Sequence, residues 1–262
     1  MSPLLPVISF ALYLVALAGI LSDKMSRNST AVAWAAGCVL HAWVLFDPTG
    51  AGAGGSFTFT FFNAMALTAL LINALVLAWA VFQPTWHLGL ITLPCALAAI
   101  WIEPVTGSQA VTLPWSVNAH IMISLLAYGM LMLAGAQALM LLLKEHQLGS
   151  RHLADRVSGR LPPLDRMESL LIKIIALGLI LLSIGLAVGG SALTEPFSPG
   201  MLHKMTFSAL AWITLVALLW GHWQFGWRGR LAAGVTLAGL VFLILGFLGT
   251  KLVLEIILNR PI

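Results

Sequence analysis

Histidine is the residue type in this chain whose placement could best support chemistry. Five of the seven histidines lie in or at the ends of long apolar stretches: His41, His87, His120, His203 and His222. An imidazole in hydrocarbon is costly unless it is hydrogen-bonded or ligates a metal, so each is a candidate functional group. The structural alternative is a neutral histidine bonded across helices. Several such imidazoles without acidic partners favour a large flat ligand, and heme is the obvious one.

Other chemistries find little support in the sequence. Cys38 and Cys95 lie singly in apolar stretches, without the C-x-x-C spacing of thiol exchange. No G-x-S-x-G, H-E-x-x-H or phosphate loop occurs, and the acidic residues fall at the ends of apolar stretches. We therefore predict no catalytic residue, and no metal other than heme iron. A small-solute transporter stays open as an alternative, with polar side chains to line a path at Asn63, Asn73, Ser124 and Gln137.

Composition defines the surroundings of these histidines. The 262 residues carry 13 Lys+Arg and 9 Asp+Glu, so that 8% are charged, while 60% are apolar. A soluble domain averages about 25% charged residues, and this chain has too few to keep a globular surface in water. A soluble enzyme and a disordered chain are excluded. So is a nucleic-acid binder, despite the net charge of +4.

Eight apolar stretches are long enough for membrane helices, which need about 17 to 25 residues. They lie near 4–22, 30–46, 60–82, 86–102, 118–143, 171–190, 203–225 and 231–250. Because they do not alternate in polarity, they predict an all-α polytopic bundle of eight transmembrane helices. No Lys or Arg precedes the first stretch, which we expect to remain as a helix. We predict one integral membrane domain over 1–262, because the loops are too short to fold alone.

The distribution of positive charge predicts the orientation. Lys and Arg concentrate in the first, fifth and seventh connections, so the positive-inside rule places both termini outside. The basic loop at 144–167 is then cytoplasmic, and its first half should continue the fifth helix against anionic headgroups. Pro162-Pro163 should end any helix there, and Asp165 and Glu168 suit the first turn of the sixth helix. We also expect an ordered outer loop at 103–118.

Depth in the membrane limits which histidines could share one iron. Two axial nitrogens must lie about 4 Å apart, twice a metal–imidazole bond, while His41 lies about 16 Å from the inner end of its span. Helix tilt absorbs part of such a mismatch. Three pairings stay open: His41 with His222, His120 with His203, and His87 with His222. The nearby Trp220, Trp223 and Trp227 fit an interfacial belt on the cytoplasmic side.

Three stretches of the second half carry a family likeness. They are His120-Ile-Met-Ile-Ser-Leu-Leu-Ala-Tyr128, then Leu161-Pro-Pro-Leu164 with Glu168 and Ile175-Ala-Leu-Gly178, then Trp212 through His222 to Gly226-Trp-Arg-Gly-Arg230. Together they resemble the heme-handling transmembrane family of cytochrome c assembly proteins (CcsA- and CcmC-like), in particular its short YpjD and HemX-like branch. The resemblance implies a multi-pass protein of the bacterial inner membrane. Its implied partners are lipid, heme and other cytochrome c biogenesis proteins.

The resemblance also implies heme-binding residues. In synthase members, a histidine in an early span and one after a tryptophan-rich loop are assigned to heme within the membrane, and these positions look like His41 and His222. His120 resembles an outer-face heme ligand. Full members carry W-G-x-x-W-x-W-D before the seventh span, whereas residues 190–202 contain no Trp here, and no His follows His222.

These departures imply an accessory factor rather than a complete heme-attachment synthase, with His203 as a substitute outer ligand. The HemX-like branch leaves a different function open, a membrane regulator of tetrapyrrole synthesis. Such a regulator would act through a cytosolic partner at the 144–167 loop.

Overall fold

All regular secondary structure in the described part of the chain is helical. The computed structural model describes residues 4–22, 25–46, 61–82, 85–101, 115–149, 162–192 and 199–251, among which there is no β-strand. The α-helices are α1 (Leu4–Leu21), α2 (Arg27–Leu45), α3 (Phe61–Ala80), α4 (Gly89–Ala99), α5 (Trp115–Gly149), α6 (Leu164–Ala192), α7 (Pro199–Phe225) and α8 (Gly229–Lys251). A 3₁₀ turn at Trp86–Leu88 leads into α4. The all-α prediction is confirmed for these residues.

Six of the helices are long and apolar enough to cross a membrane: α1, α3, α5, α6, α7 and α8. The other two fall short for different reasons. Together with its 3₁₀ turn, the fourth apolar helix covers only Trp86–Ala99, a rise of about 21 Å against a hydrocarbon core of about 30 Å. The first turn of α2 is polar, with Arg27, Asn28 and Ser29. Eight crossings and the both-ends-outside orientation therefore stay predictions.

Several helices begin or end at residues other than the ends of the apolar stretches, because polar and proline residues set the helix boundaries. Helix α2 begins at Arg27 because Ser26 caps it, with the backbone N–H of Ser29 donating to Ser26 Oγ at 3.1 Å. Helix α5 continues to Gly149, which confirms the expected extension of the fifth span and places His146 on a helix. Helix α6 begins directly after Pro162-Pro163, with Asp165 in its first turn. The predicted outer loop at 103–118 lies outside the described residues up to 114, and its remainder is helical.

The chain divides into two compact units. The N-terminal unit, Met1–Leu113, contains α1 to α4, and the C-terminal unit, Pro114–Ile262, contains α5 to α8. In the N-terminal unit, α1 packs on α2 and α4, and α3 packs on the same two helices. The C-terminal unit repeats this pattern, with α5 and α7 each contacting both α6 and α8. Each unit is thus a ring of four helices, and its histidines can be described within it.

Candidate functional site

His41 is the most enclosed histidine of the N-terminal unit. It lies on α2 with 1% of its surface exposed, and its Nδ1 is 3.2 Å from the Tyr13 hydroxyl on α1. The two rings also meet edge to face, with centroids 5.9 Å apart. The other ring nitrogen, Nε2, is buried and has no hydrogen-bond partner among the described residues. Leaving such an atom unsatisfied costs about 1 to 3 kcal/mol, so a group that binds to Nε2 would offset this cost.

The Tyr13 ring is held by close packing of α1 against α2. A Cβ placed on Gly37 would lie 2.9 Å from Cδ1 and Cε1 of Tyr13, so the phenol lies directly on the α2 backbone. One turn earlier on α1, the Ser9 hydroxyl donates to the Gly37 carbonyl at 3.0 Å. Sequence patterns do not single out Tyr13, because an aromatic residue in an apolar helix carries no sign of its partner.

A second buried network of hydrogen bonds connects α2, α3 and α4. The Trp34 indole N–H donates to Asn73 Oδ1 of α3 at 3.1 Å, and Asn73 Nδ2 donates to the Thr92 carbonyl of α4 at 3.0 Å. Trp34 and Asn73 are fully buried. Asn73, considered above as a lining for a solute path, is therefore engaged in helix packing. His87, in the adjoining 3₁₀ turn, is buried with 5% exposure.

His120 lies near the N-terminus of α5 in the C-terminal unit and packs on α6. Its Nδ1 is 2.8 Å from the Gly185 carbonyl oxygen. A neutral imidazole can meet a carbonyl only by donating, so Nδ1 carries the proton and Nε2 a lone pair. A Cβ on Gly189 would lie 2.5 Å from Cε1 and 2.6 Å from Nδ1 of this ring, and only glycine leaves room for the imidazole there. The α5–α6 interface therefore fixes both the position and the tautomer of His120.

His222 is fixed in the same way at the end of α7. Its Nδ1 is 2.8 Å from the carbonyl oxygen of Trp227, which again leaves the lone pair on Nε2. The chain turns back at Gly226, whose φ of 66° lies in the left-handed region. The Trp227 N–H then donates to the Gly221 carbonyl at 3.2 Å. These contacts form a helix C-terminal cap that includes the His222 side chain.

Two carboxylates hold the following helix in place. Glu168 Oε1 of α6 accepts from the backbone N–H of Gly229 at 2.8 Å, and Glu145 Oε2 of α5 is 3.2 Å from Arg230 Nε. Negative charge at the N-terminus of α8 is favourable, because the unpaired N–H groups there carry partial positive charge. Glu168 belongs to a stretch that carries the family likeness, whereas no sequence signal marks Glu145.

The histidines of the C-terminal unit lie at opposite ends. His120 is level with Gly185 on α6, while the loop that carries the partner of His222 is tied to Glu168. Seventeen helical residues between those α6 positions correspond to about 26 Å, so His120 and His222 cannot ligate one iron. His203, near the start of α7, lies at the His120 end and is exposed, as is His146 on α5. The pairings of His41 or His87 with His222 combine residues of the two units and stay predictions.

The donor set suits a heme better than a free metal ion. Among the described residues, no three His, Cys, Asp or Glu side chains come together to hold a metal. A heme iron needs only axial ligands, since the porphyrin supplies the other donors. Single imidazoles match that requirement. His120 and His222 each have Nδ1 within hydrogen-bond distance of a carbonyl, and His41 has a buried Nε2 without a partner among the described residues.

Similarity to known proteins agrees with this chemistry. A family model described as Cytochrome C assembly protein matches residues 31–258. Inner membrane protein YpjD of Escherichia coli strain K12 is 35% identical over 138 residues, which are 53% of this chain and 52% of YpjD, and YpjD of E. coli O157:H7 gives the same figures. An uncharacterized 28.8 kDa protein in the nifR3-like 5′ region of Azospirillum brasilense is 29% identical over 147 residues, 55% of this chain and 53% of that protein. No solved structure matches.

The chain spans about half the length of the curated relatives it matches. The family match is broader and includes the positions of His41, His120 and His222. With its membrane-length helices, the chain is a multi-pass protein of the bacterial inner membrane, and the predicted likeness to the YpjD branch is confirmed. The chain belongs to the cytochrome c assembly protein family.

Proposed function

We propose that this chain is a heme-binding accessory protein of cytochrome c assembly, with His41, His222 and His120 as heme ligands. One observation carries the proposal: all three have Nδ1 engaged, at 3.2 Å by the Tyr13 hydroxyl and at 2.8 Å by a backbone carbonyl in the other two cases. Metal-ligating histidines almost always make such a contact through the nitrogen that does not bind the metal. Nε2 is then the ligand atom in each.

Heme bound at these residues would supply either a one-electron redox group or a cargo for an apocytochrome. The chain contributes imidazoles whose orientation is set before heme arrives. His41 adds an apolar, water-excluding site, because its ring is 1% exposed. Preorganised ligands lose little freedom on binding, which favours affinity.

The connection between α6 and α7 supports the proposal of an accessory role. Only residues 193–198 separate these helices, and this segment contains no Trp. A platform of the W-G-x-x-W-x-W-D kind has no counterpart there. The exposed Trp220 and Trp223 lie at the other end of α7, where they suit the headgroup region better than a heme surface.

We also propose eight crossings with both termini outside. The end of the C-terminal unit that holds His222 also gathers cations, including Lys144, Arg166, Arg228 and Arg230, as a cytoplasmic face should. Cysteine substituted at exposed Arg228 in a cysteine-free background should react with a membrane-impermeant maleimide only in inverted vesicles. Labelling in intact spheroplasts would reverse the orientation.

The ligand assignment is tested by titrating purified protein with hemin and following the Soret band. His41→Ala and His222→Ala should each weaken or abolish the spectral shift. His120→Ala, which removes an additional proposed ligand, should also weaken it. His146→Ala is the matched control, because that imidazole is exposed on α5. No Soret shift in the wild type, or equal shifts in all four variants, would overturn the proposal.

A further inference from the structure

Within the described part of the N-terminal unit, the hydroxyl of Tyr13 is the only hydrogen-bonding partner of the two ring nitrogens of His41. It lies 3.2 Å from Nδ1, while Nε2 has no partner there. A phenol can donate or accept in this position. The direction of the bond therefore decides which nitrogen of His41 carries the proton.

The unpartnered Nε2 favours one direction. If the phenol donated to Nδ1, the ring proton would lie on Nε2, where it would be a buried N–H without an acceptor. Buried N–H groups are left without an acceptor more rarely than acceptors are left without a donor. If His41 instead donates from Nδ1 to the phenol oxygen, Nε2 carries a bare lone pair.

We propose that Tyr13 is a positioning residue that holds His41 in the Nδ1–H tautomer and makes Nε2 the heme ligand. This deepens the proposed function, on which it rests. The bond orients the ring and increases the electron density that Nε2 can donate, as carbonyl and carboxylate partners do for other metal-bound histidines.

The packing makes the arrangement rigid enough to act in this way. The Tyr13 side chain is fully buried, and its ring lies against the backbone at Gly37, with no room for a Cβ between them. The phenol cannot swing away from α2 without opening the interface between α1 and α2. His41 thus meets its partner at a fixed place.

The test compares Tyr13→Phe with Tyr128→Phe, the same change at the only other tyrosine. Tyr13→Phe keeps the ring and its packing but removes the acceptor. Heme affinity should fall about 10- to 100-fold, the usual cost of losing an outer partner of a ligating histidine. The reduction potential of the bound heme should rise, because a less electron-donating imidazole stabilises ferric iron less. Tyr128→Phe should leave both quantities unchanged.

Nitrogen-15 NMR of histidine-labelled, heme-free protein reads the tautomer directly. The His41 signals, identified by their loss in His41→Ala, should show a protonated Nδ1 in the wild type and a shift toward Nε2–H in Tyr13→Phe. An unchanged tautomer together with unchanged affinity and potential would overturn the role of Tyr13. Failure of the wild type to bind heme would overturn the proposed function, and the NMR result would still decide the tautomer assignment.

Discussion

Gly189→Ala is the sharpest test of how the α5–α6 interface holds His120. The added Cβ would lie 2.5 Å from Cε1 and 2.6 Å from Nδ1 of the imidazole. Nonbonded carbon atoms prefer about 3.5 to 4.0 Å, so the ring must retreat by about 1 Å. That movement would stretch the 2.8 Å bond from Nδ1 to the Gly185 carbonyl toward its limit.

The expected change in the free energy of unfolding combines two destabilising contributions and one stabilising contribution. Overpacking costs about 1 to 3 kcal/mol, and the weakened hydrogen bond adds about 0.5 to 1.5 kcal/mol. Replacing a helical glycine with alanine stabilises the helix by about 1 kcal/mol. The free energy of unfolding should therefore fall by about 0.5 to 3.5 kcal/mol. Gly190→Ala is the matched control, since a Cβ there meets no atom within 4 Å, and it should be neutral or slightly stabilising.

The assay is reversible unfolding in mild detergent with increasing dodecyl sulfate, followed by circular dichroism. A double-mutant cycle isolates the contact, because in a His120→Ala background the alanine at 189 has no ring to displace. The cost of Gly189→Ala should largely disappear in that background. If Gly189→Ala is as stable as Gly190→Ala, or its cost survives removal of the imidazole, the reasoning is refuted.

The same unfolding assay checks two further contacts. Gly221→Ala should destabilise by about 1 to 3 kcal/mol, because a Cβ there would lie 2.4 Å from the indole of the loop after α7, whereas Gly234→Ala meets nothing within 4 Å and should be neutral. Trp34→Phe removes the donor to Asn73 Oδ1 and should lower the free energy of unfolding by about 1 to 3 kcal/mol. Trp223→Phe, at a side chain 73% exposed, should change stability little. Equal effects within either pair would contradict the packing described above.

Hydrophobicity predicted the helices because each long apolar run must satisfy its backbone internally in lipid. It did not predict their ends. Ser26 and the Pro162-Pro163 pair set the starts of α2 and α6 through capping and backbone geometry, several residues outside the apolar windows. The length of the fourth helix was overestimated, because the apolar residues Ile100 and Trp101 lie in a turn and do not continue the helix beyond Ala99.

The histidines could be selected from the sequence because polar rings are rare in apolar helices, but most of their partners could not. Tyr13 meets His41 through the register of α1 on α2, and that register depends on where the small residue Gly37 allows close approach. His120 reaches a carbonyl on another helix, to which no residue type points. Glu145 and Glu168 come together at the start of α8 only once α5 and α6 are paired.

The absorption spectrum of the protein, purified in detergent from heme-producing cells, tests heme ligation most directly. Before and after dithionite, the wild type should show a Soret band and a split reduced α/β pattern of a bis-histidine heme. His41→Ala and His222→Ala should lose that pattern, and His146→Ala should keep it. A protein without a Soret band, or a spectrum that survives loss of both His41 and His222, would contradict the central claim that these imidazoles bind heme.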